Sequence, residues 1–200
     1  MKKATIVNSS LLALLAVSLT ACVGVQNVKS DYQLDPSSKK GLVVGTLTLA
    51  RSTYSAPIFY FQSSDKTVSE SIAFSESFPT RRPRTDLPGR LSKLFIVELP
   101  VGSYNFYRLR FPSGAALGYV WIDLSSTSSQ SVSFDVEAGK VTYVGDLFID
   151  AQSSNLRGTW VNSIKVRDFL DQDKREFIKA HSWLADTDLK TSLFRIGSSN

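Results

Sequence analysis

The 200-residue sequence predicts an all-β fold, an antiparallel β-sandwich with a C-terminal amphipathic α-helix, and three observations predict it. From Gly41 onward, short runs rich in Val, Phe, Tyr and Thr are separated by clusters of Pro, Gly and Ser, the rhythm of strands and turns. Nine such runs occur, more than one flat sheet holds comfortably beside a single helix, so two packed sheets are the economical architecture. After the ninth run the apolar residues change to helical spacing. Composition agrees: 42% hydrophobic, 11% aromatic and 20% charged residues suit a packed core and exclude a wholly disordered chain.

Residues 1–22 read MKKATIVNSSLLALLAVSLTAC, with a basic start, an apolar run over Leu11 to Val17 and small residues before the cysteine, the pattern of an export signal. The run is shorter than the roughly 20 residues a membrane-spanning helix needs. Leu19-Thr20-Ala21-Cys22 resembles the bacterial lipobox, which implies cleavage between Ala21 and Cys22 and lipid on Cys22, the sole cysteine. Buried acyl chains add about 0.8 kcal/mol per methylene, so two or three of them hold a soluble domain at a membrane. In lipoproteins of this kind an aspartate after the cysteine favours the inner membrane; Val23 occupies that position, which implies the outer membrane of a Gram-negative bacterium, with the domain facing the periplasm. The expected division is a removed leader at 1–21, a lipidated cysteine and flexible tether at 22–40, a sandwich at 41–166 and a helix with tail at 167–200.

Within the sandwich the first strand is Leu42 to Ala50, where Thr46 and Thr48 alternate with Leu47 and Leu49 and predict one solvated face. The other eight are Pro57 to Gln62, Ser69 to Phe74, Lys93 to Leu99, Tyr104 to Phe111, Ala116 to Leu124, Ser131 to Val136, Val141 to Asp150 and Leu156 to Val166. Asp168 to Leu184 follows as the helix, with Phe169, Leu170, Phe177, Ala180, Trp183 and Leu184 on one face, Asp168 as N-cap and Asp171 placed as in a capping box. The tail after Arg195 is expected to fray.

Between the fourth and fifth strands, Leu99-Pro100-Val101-Gly102-Ser103-Tyr104 carries turn chemistry, with a proline that stops one strand and a glycine free to take positive φ. This stretch resembles the hairpin of transthyretin-like and carboxypeptidase-regulatory-like β-sandwiches. Phe134-Asp135-Val136-Glu137-Ala138-Gly139-Lys140-Val141-Thr142-Tyr143-Val144-Gly145 is similar to a hairpin that follows in uncharacterised bacterial lipoproteins of that type. The resemblance implies a transthyretin-like sandwich and transfers no active site, because a fold does not carry a function.

One cysteine and one histidine exclude a disulfide framework, Cys/His zinc sites and nearly every Cys/His or Ser/His catalytic group. The formal charge of +5 includes Lys2 and Lys3 of the leader; the mature chain keeps 21 basic against 18 acidic residues, a margin of +3 that predicts no nucleic-acid field. Asp146, Phe148 and Asp150 share one strand face, a solvated outer face on the simplest reading and a carbohydrate-active or other envelope hydrolase site on the alternative one. Asp168, Asp171 and Asp173 read as capping and solvation, and His181 as a histidine at the border of the apolar stripe. The basic segment 80–90 presents Arg81, Arg82, Arg84 and Arg90 in a proline-stiffened loop, a solvated connector on the simplest reading and, on the alternative one, a site for anions of lipid headgroups, lipopolysaccharide or an acidic envelope protein. The expectation is therefore an anchored binding, scaffolding or envelope-maintenance module without catalysis, metal or cofactor.

Overall fold

Strand formation follows the β-branched and aromatic runs closely. The structure, a computed structural model, describes residues 28, 32–50, 57–73, 90–112, 119–124, 130–154 and 158–198. Among them the nine expected strands are present as β1 (Lys40–Ala50), β2 (Ile58–Ser63), β3 (Ser69–Ala73), β4 (Arg90–Pro100), β5 (Gly102–Pro112), β6 (Tyr119–Asp123), β7 (Gln130–Val136), β8 (Val141–Ser154) and β9 (Gly158–Arg167). The helix α1 (Leu170–Ala180) ends earlier than expected and continues as a 3-10 helix over Ser182–Asp186. Two further strands, β10 (Leu189–Thr191) and β11 (Arg195–Ser198), close the chain. Among the described residues no helix is long and apolar enough to cross a membrane.

The strands divide into two sheets that pack face to face. In the first, β1 lies between β4 and β8, and β8 carries β10 and then β9 along its other edge. In the second the order is β11-β7-β5-β2-β3, with β6 beside the second half of β5. The all-antiparallel expectation needs correction, since β1 and β10 both run parallel to β8. The reason lies in the connections. Both stretches that read as hairpins are corners between sheets: Pro100–Gly102 passes the chain from β4 in the first sheet to β5 in the second, and Glu137–Lys140 returns it from β7 to β8. Chain re-entering the first sheet at Val141, opposite Leu42, has only the direction of β1 open to it.

Both corners sit at one end, where Lys40 pairs with Pro100 and Gly102 with Val136. The Tyr104 hydroxyl donates to Pro100 O at 2.9 Å and the Val101 amide to Lys39 O at 3.0 Å. Gly102 has φ +156, positive as expected and a value that side-chain-bearing residues rarely adopt, although a Cβ there would meet only Tyr104 Cε2 at 3.9 Å. Gly139 is the constrained glycine: its φ is +58 and a Cβ would stand 2.5 Å from Pro36 O.

Between the sheets the alternating inward positions build an aromatic core. Tyr104 and Phe134 stack with centroids 5.4 Å apart, and Phe61, Phe106 and Phe194 meet Phe134 at 5.7 to 5.8 Å. Such ring pairs contribute about 0.5–1.5 kcal/mol beyond the area they bury. Phe194 lies in this core, and the residues after it pair with β7 as β11, so the described part of the tail expected to fray, up to Ser198, is strand.

A second apolar layer covers the outer side of the first sheet. Leu42 and Val44 of β1, with Ile96, Val141 and Tyr143, pack beneath Phe177 of α1 and Leu184. Val28, Tyr32 and Leu34 join this layer, and the Tyr32 hydroxyl donates to Glu98 at 2.6 Å. The later part of the segment expected to be a flexible tether is therefore a strap on the sheet, held by apolar burial that its sparse periodicity did not reveal. β1 has no wet face either, because every residue from Gly41 to Ala50 is buried.

Candidate functional site

Of the residues singled out from sequence, Ala21, Cys22, Arg81, Arg82 and Arg84 lie outside the described residues, as does the side chain of Arg90, whose backbone opens β4 opposite Ala50. The acids proved more informative. A bulge at Gly145, φ +87, shifts the register so that Asp146 lies on the outer face of β8. There its carboxylate is fully buried, pairs with the Arg167 guanidinium and accepts the Thr48 hydroxyl at 2.8 Å. The solvated-face expectation fails for Asp146, because Thr48 and Arg167 converge on it from the two neighbouring strands, and Ser92 on β4 hydrogen-bonds Thr48 behind it. Arg167 is itself layered on Phe148 and Phe169 at 4.6 and 5.0 Å. Asp150 is partly exposed and accepts from Asn162 at 3.4 Å.

Asp173 also departs from its expected solvation. Sitting in the first turn of α1 and 3% exposed, it accepts Tyr143 Oη at 2.8 Å and Thr46 Oγ1 at 2.9 Å, which clamps the helix to the sheet. Burial, and then the adjacent carboxylate, push the Tyr143 hydroxyl pKa far up, so it stays a donor at any ordinary pH. Asp168 does not act as N-cap, a position taken by Phe169; its Oδ1 accepts the Leu170 amide at 3.0 Å, an Asx turn leading into the helix. His181 ends α1, its ring edge-on to Trp183 at 6.2 Å and its pKa lowered by burial. Lys93 points inward from β4 and donates to Ala73 O, with burial pulling its pKa down to about 8. These polar groups serve the interior.

The outer face of the second sheet is different. Strands β2, β5 and β6 lie side by side, with Tyr60 opposite Arg108, Arg108 opposite Asp123, and Arg110 opposite Trp121. A bulge at Tyr107, between the Tyr60 and Phe61 pairings, lets Tyr107 and Arg108 both reach this face. Tyr60 lies 5.6 Å from Trp121 and 6.4 Å from Tyr107, ring centre to ring centre. Arginines thread the rings: Arg108 stands 5.4 Å from Trp121, while Arg110 lies 4.1 Å over Tyr119 and 5.6 Å from Trp121. Asp123 holds Arg108 through a 2.6 Å bond to Nε and keeps it charged.

Tyr119 and Trp121 are 53% and 49% exposed, which leaves large aromatic surface in water beside oriented guanidiniums. Isolated exposed apolar residues need no explanation, but Trp, Tyr and Arg gathered on one face are the residues that dominate binding surfaces. The alternation Tyr119-Val120-Trp121-Ile122-Asp123 already carried this signal, since it turns both rings to the side away from Val120 and Ile122.

No protein-family model matches the sequence, and the comparison with curated proteins gives no match either. Among solved structures, the chain is similar to a leucine-rich repeat protein from Bacteroides thetaiotaomicron, at 16% identity and a TM-score of 0.35 over 56% of this chain. The likeness spans 14% of that protein's length, and at this level it fixes neither a fold family nor a ligand.

Proposed function

We propose that this chain is a lipid-anchored envelope protein whose sandwich, of transthyretin-like type, is a binding module without chemistry of its own. The leader and its lipobox-like end support an anchor on Cys22, and Val23 supports the outer membrane, with the domain in the periplasm. The observation that carries the binding role is the exposed face of Tyr60, Tyr107, Tyr119 and Trp121 with its stacked arginines. Burial and pairing of Asp146 support a structural role for the acid that a hydrolase would have needed free.

Two measurements test the reading. Labelled palmitate enters the wild type and not Cys22→Ser, whose maturation stops with the leader uncut; equal labelling, or a soluble wild type, refutes the anchor. The mature wild type sediments with envelope fragments after detergent extraction of membranes, and the Tyr119→Ser/Trp121→Ser variant, with an unchanged circular dichroism spectrum, does not. Equal sedimentation of the two refutes the binding face.

A further inference from the structure

We infer that the aromatic face of β2, β5 and β6 binds an acidic polysaccharide and that Arg110 reads its carboxylate. The inference rests on the binding-module reading above and names the ligand of that site. Flat ring faces accept the apolar side of sugar rings, and the Tyr hydroxyls with the Trp121 indole N–H supply polar edges. Of the two arginines, Arg108 is committed to Asp123, whereas Arg110 has no carboxylate partner among the described residues. Its guanidinium is nonetheless oriented, stacked 4.1 Å over Tyr119. A fork fixed by stacking and left without an acceptor is suited to a bidentate bond with a planar carboxylate.

Charge density and position select among anionic polymers. Among the described residues one uncommitted guanidinium stands in a cluster of four rings, against Tyr119 and Trp121, which fits a polymer with sparse charge and many ring faces. A nucleic acid presents a phosphate at every unit and is normally met by a track of cations. Protein hot spots cluster in well-packed pockets, whereas Tyr119 and Trp121 stand 53% and 49% exposed along a strand face, and Ile58 is the one aliphatic residue on it among the described positions of β2, β5 and β6. Lipid headgroups are disfavoured by placement. Val28, Tyr32 and Leu34 strap the anchor-proximal chain to the outer side of the first sheet, and the aromatic face is the outer side of the second. Six residues from Cys22 to Val28 reach at most about 22 Å, so the strapped side is drawn toward the bilayer and the aromatic side turns away from it.

The test is calorimetric titration of the mature protein in detergent with hyaluronan, whose charged and uncharged units alternate, and with chitohexaose, single-stranded poly(dT) and short-chain phosphatidylglycerol. Hyaluronan binding is expected for the wild type and, since a lost hydrogen bond to a charged group is involved, to weaken about tenfold in Arg110→Ala. Arg110→Lys, which keeps the charge without the fork, should recover only part of this loss, and chitohexaose should not distinguish wild type from Arg110→Ala. Equal hyaluronan affinity in wild type and Arg110→Ala overturns the role of Arg110. Tighter binding of poly(dT) or phosphatidylglycerol overturns the ligand class. If no polymer binds while Trp121→Ser still abolishes envelope sedimentation, the glycan assignment falls and the binding module stands; if Trp121→Ser leaves sedimentation intact, the module reading falls with it.

Discussion

Asp173→Ala should loosen α1 from the sheet without unfolding the sandwich core. The carboxylate accepts the Tyr143 hydroxyl at 2.8 Å and the Thr46 hydroxyl at 2.9 Å, and all three residues are buried. Hydrogen bonds to charged groups contribute about 1.5–3 kcal/mol each, and a buried donor left without an acceptor costs about 1–3 kcal/mol. Against these stands the desolvation of the carboxylate itself, which the alanine variant no longer suffers. The balance is a destabilisation of about 2–4 kcal/mol, with Asp173→Asn losing about half as much, because both hydroxyls donate to the one Oδ2 and an amide oxygen there still accepts them without the charge. In urea the midpoint should fall at unchanged m-value, and hydrogen exchange should accelerate in α1 more than in β5 and β7. A double-mutant cycle of Tyr143→Phe and Asp173→Asn should give a coupling of about 1 kcal/mol or more. Destabilisation below about 0.5 kcal/mol, the range of ordinary surface changes, or zero coupling, would refute the clamp.

Two further predictions concern the tail and the corner. The Asp135 carboxyl has its pKa lowered to about 2 by hydrogen bonds from Arg195 and then Ser103. A depressed native pKa contributes stability present above the unfolded value of about 3.9 and lost as pH falls toward 2, so Arg195→Ala should flatten the stability profile in that window and converge with the wild type below it. Because the pair is substantially exposed, raised salt should shrink the difference, and a profile unchanged by Arg195→Ala would contradict the assignment. At the corner, Gly139→Ala and Gly102→Ala both force an L side chain to positive φ and should each cost about 1–3 kcal/mol, with Gly139→Ala the more costly because its Cβ also meets the Pro36 backbone. Equal denaturation midpoints for the two variants would sink this distinction.

The nine strands were legible because their apolar residues recur at period two, and the helix because the period then changes. Connectivity was not. Leu99-Pro100-Val101-Gly102 encodes a stop and a reversal, but nothing in those residues specifies which sheet receives the chain; that choice is made by pairing with Lys39, Lys40 and Val136, far off in sequence. Thr46, Thr48, Asp146 and Asp173 read as solvated for a related reason. Each is polar and locally ordinary, and each is buried only because a partner from another element meets it, as Arg167 meets Asp146 across 21 residues. The strands β10 and β11, three and four residues long, fall below the length at which periodicity is a signal. In the candidate site Tyr119 and Trp121 were readable as outward, whereas their assembly with Tyr60 and Arg110 depends on the β2-β5-β6 pairing.

The two outer faces of the sandwich have opposite requirements, and the difference separates structure from function. Leu42, Val44, Ile96 and Val141 make the first sheet's outer side apolar, so it needs cover, and α1 with the strap supplies it. Substitutions there create cavities and are expected to cost about 2–5 kcal/mol for Leu or Ile to Ala. The second sheet's outer side needs no cover for folding, and Tyr119 and Trp121 stand about half in water. Trp121 is half buried against Tyr60 and the two arginines, so replacing it with Ser should cost about 1–2 kcal/mol, less than the roughly 3–5 kcal/mol of truncating a core aromatic. An aromatic and arginine surface that folding does not require, on the side away from the strap, is where loss of binding can be measured without loss of fold.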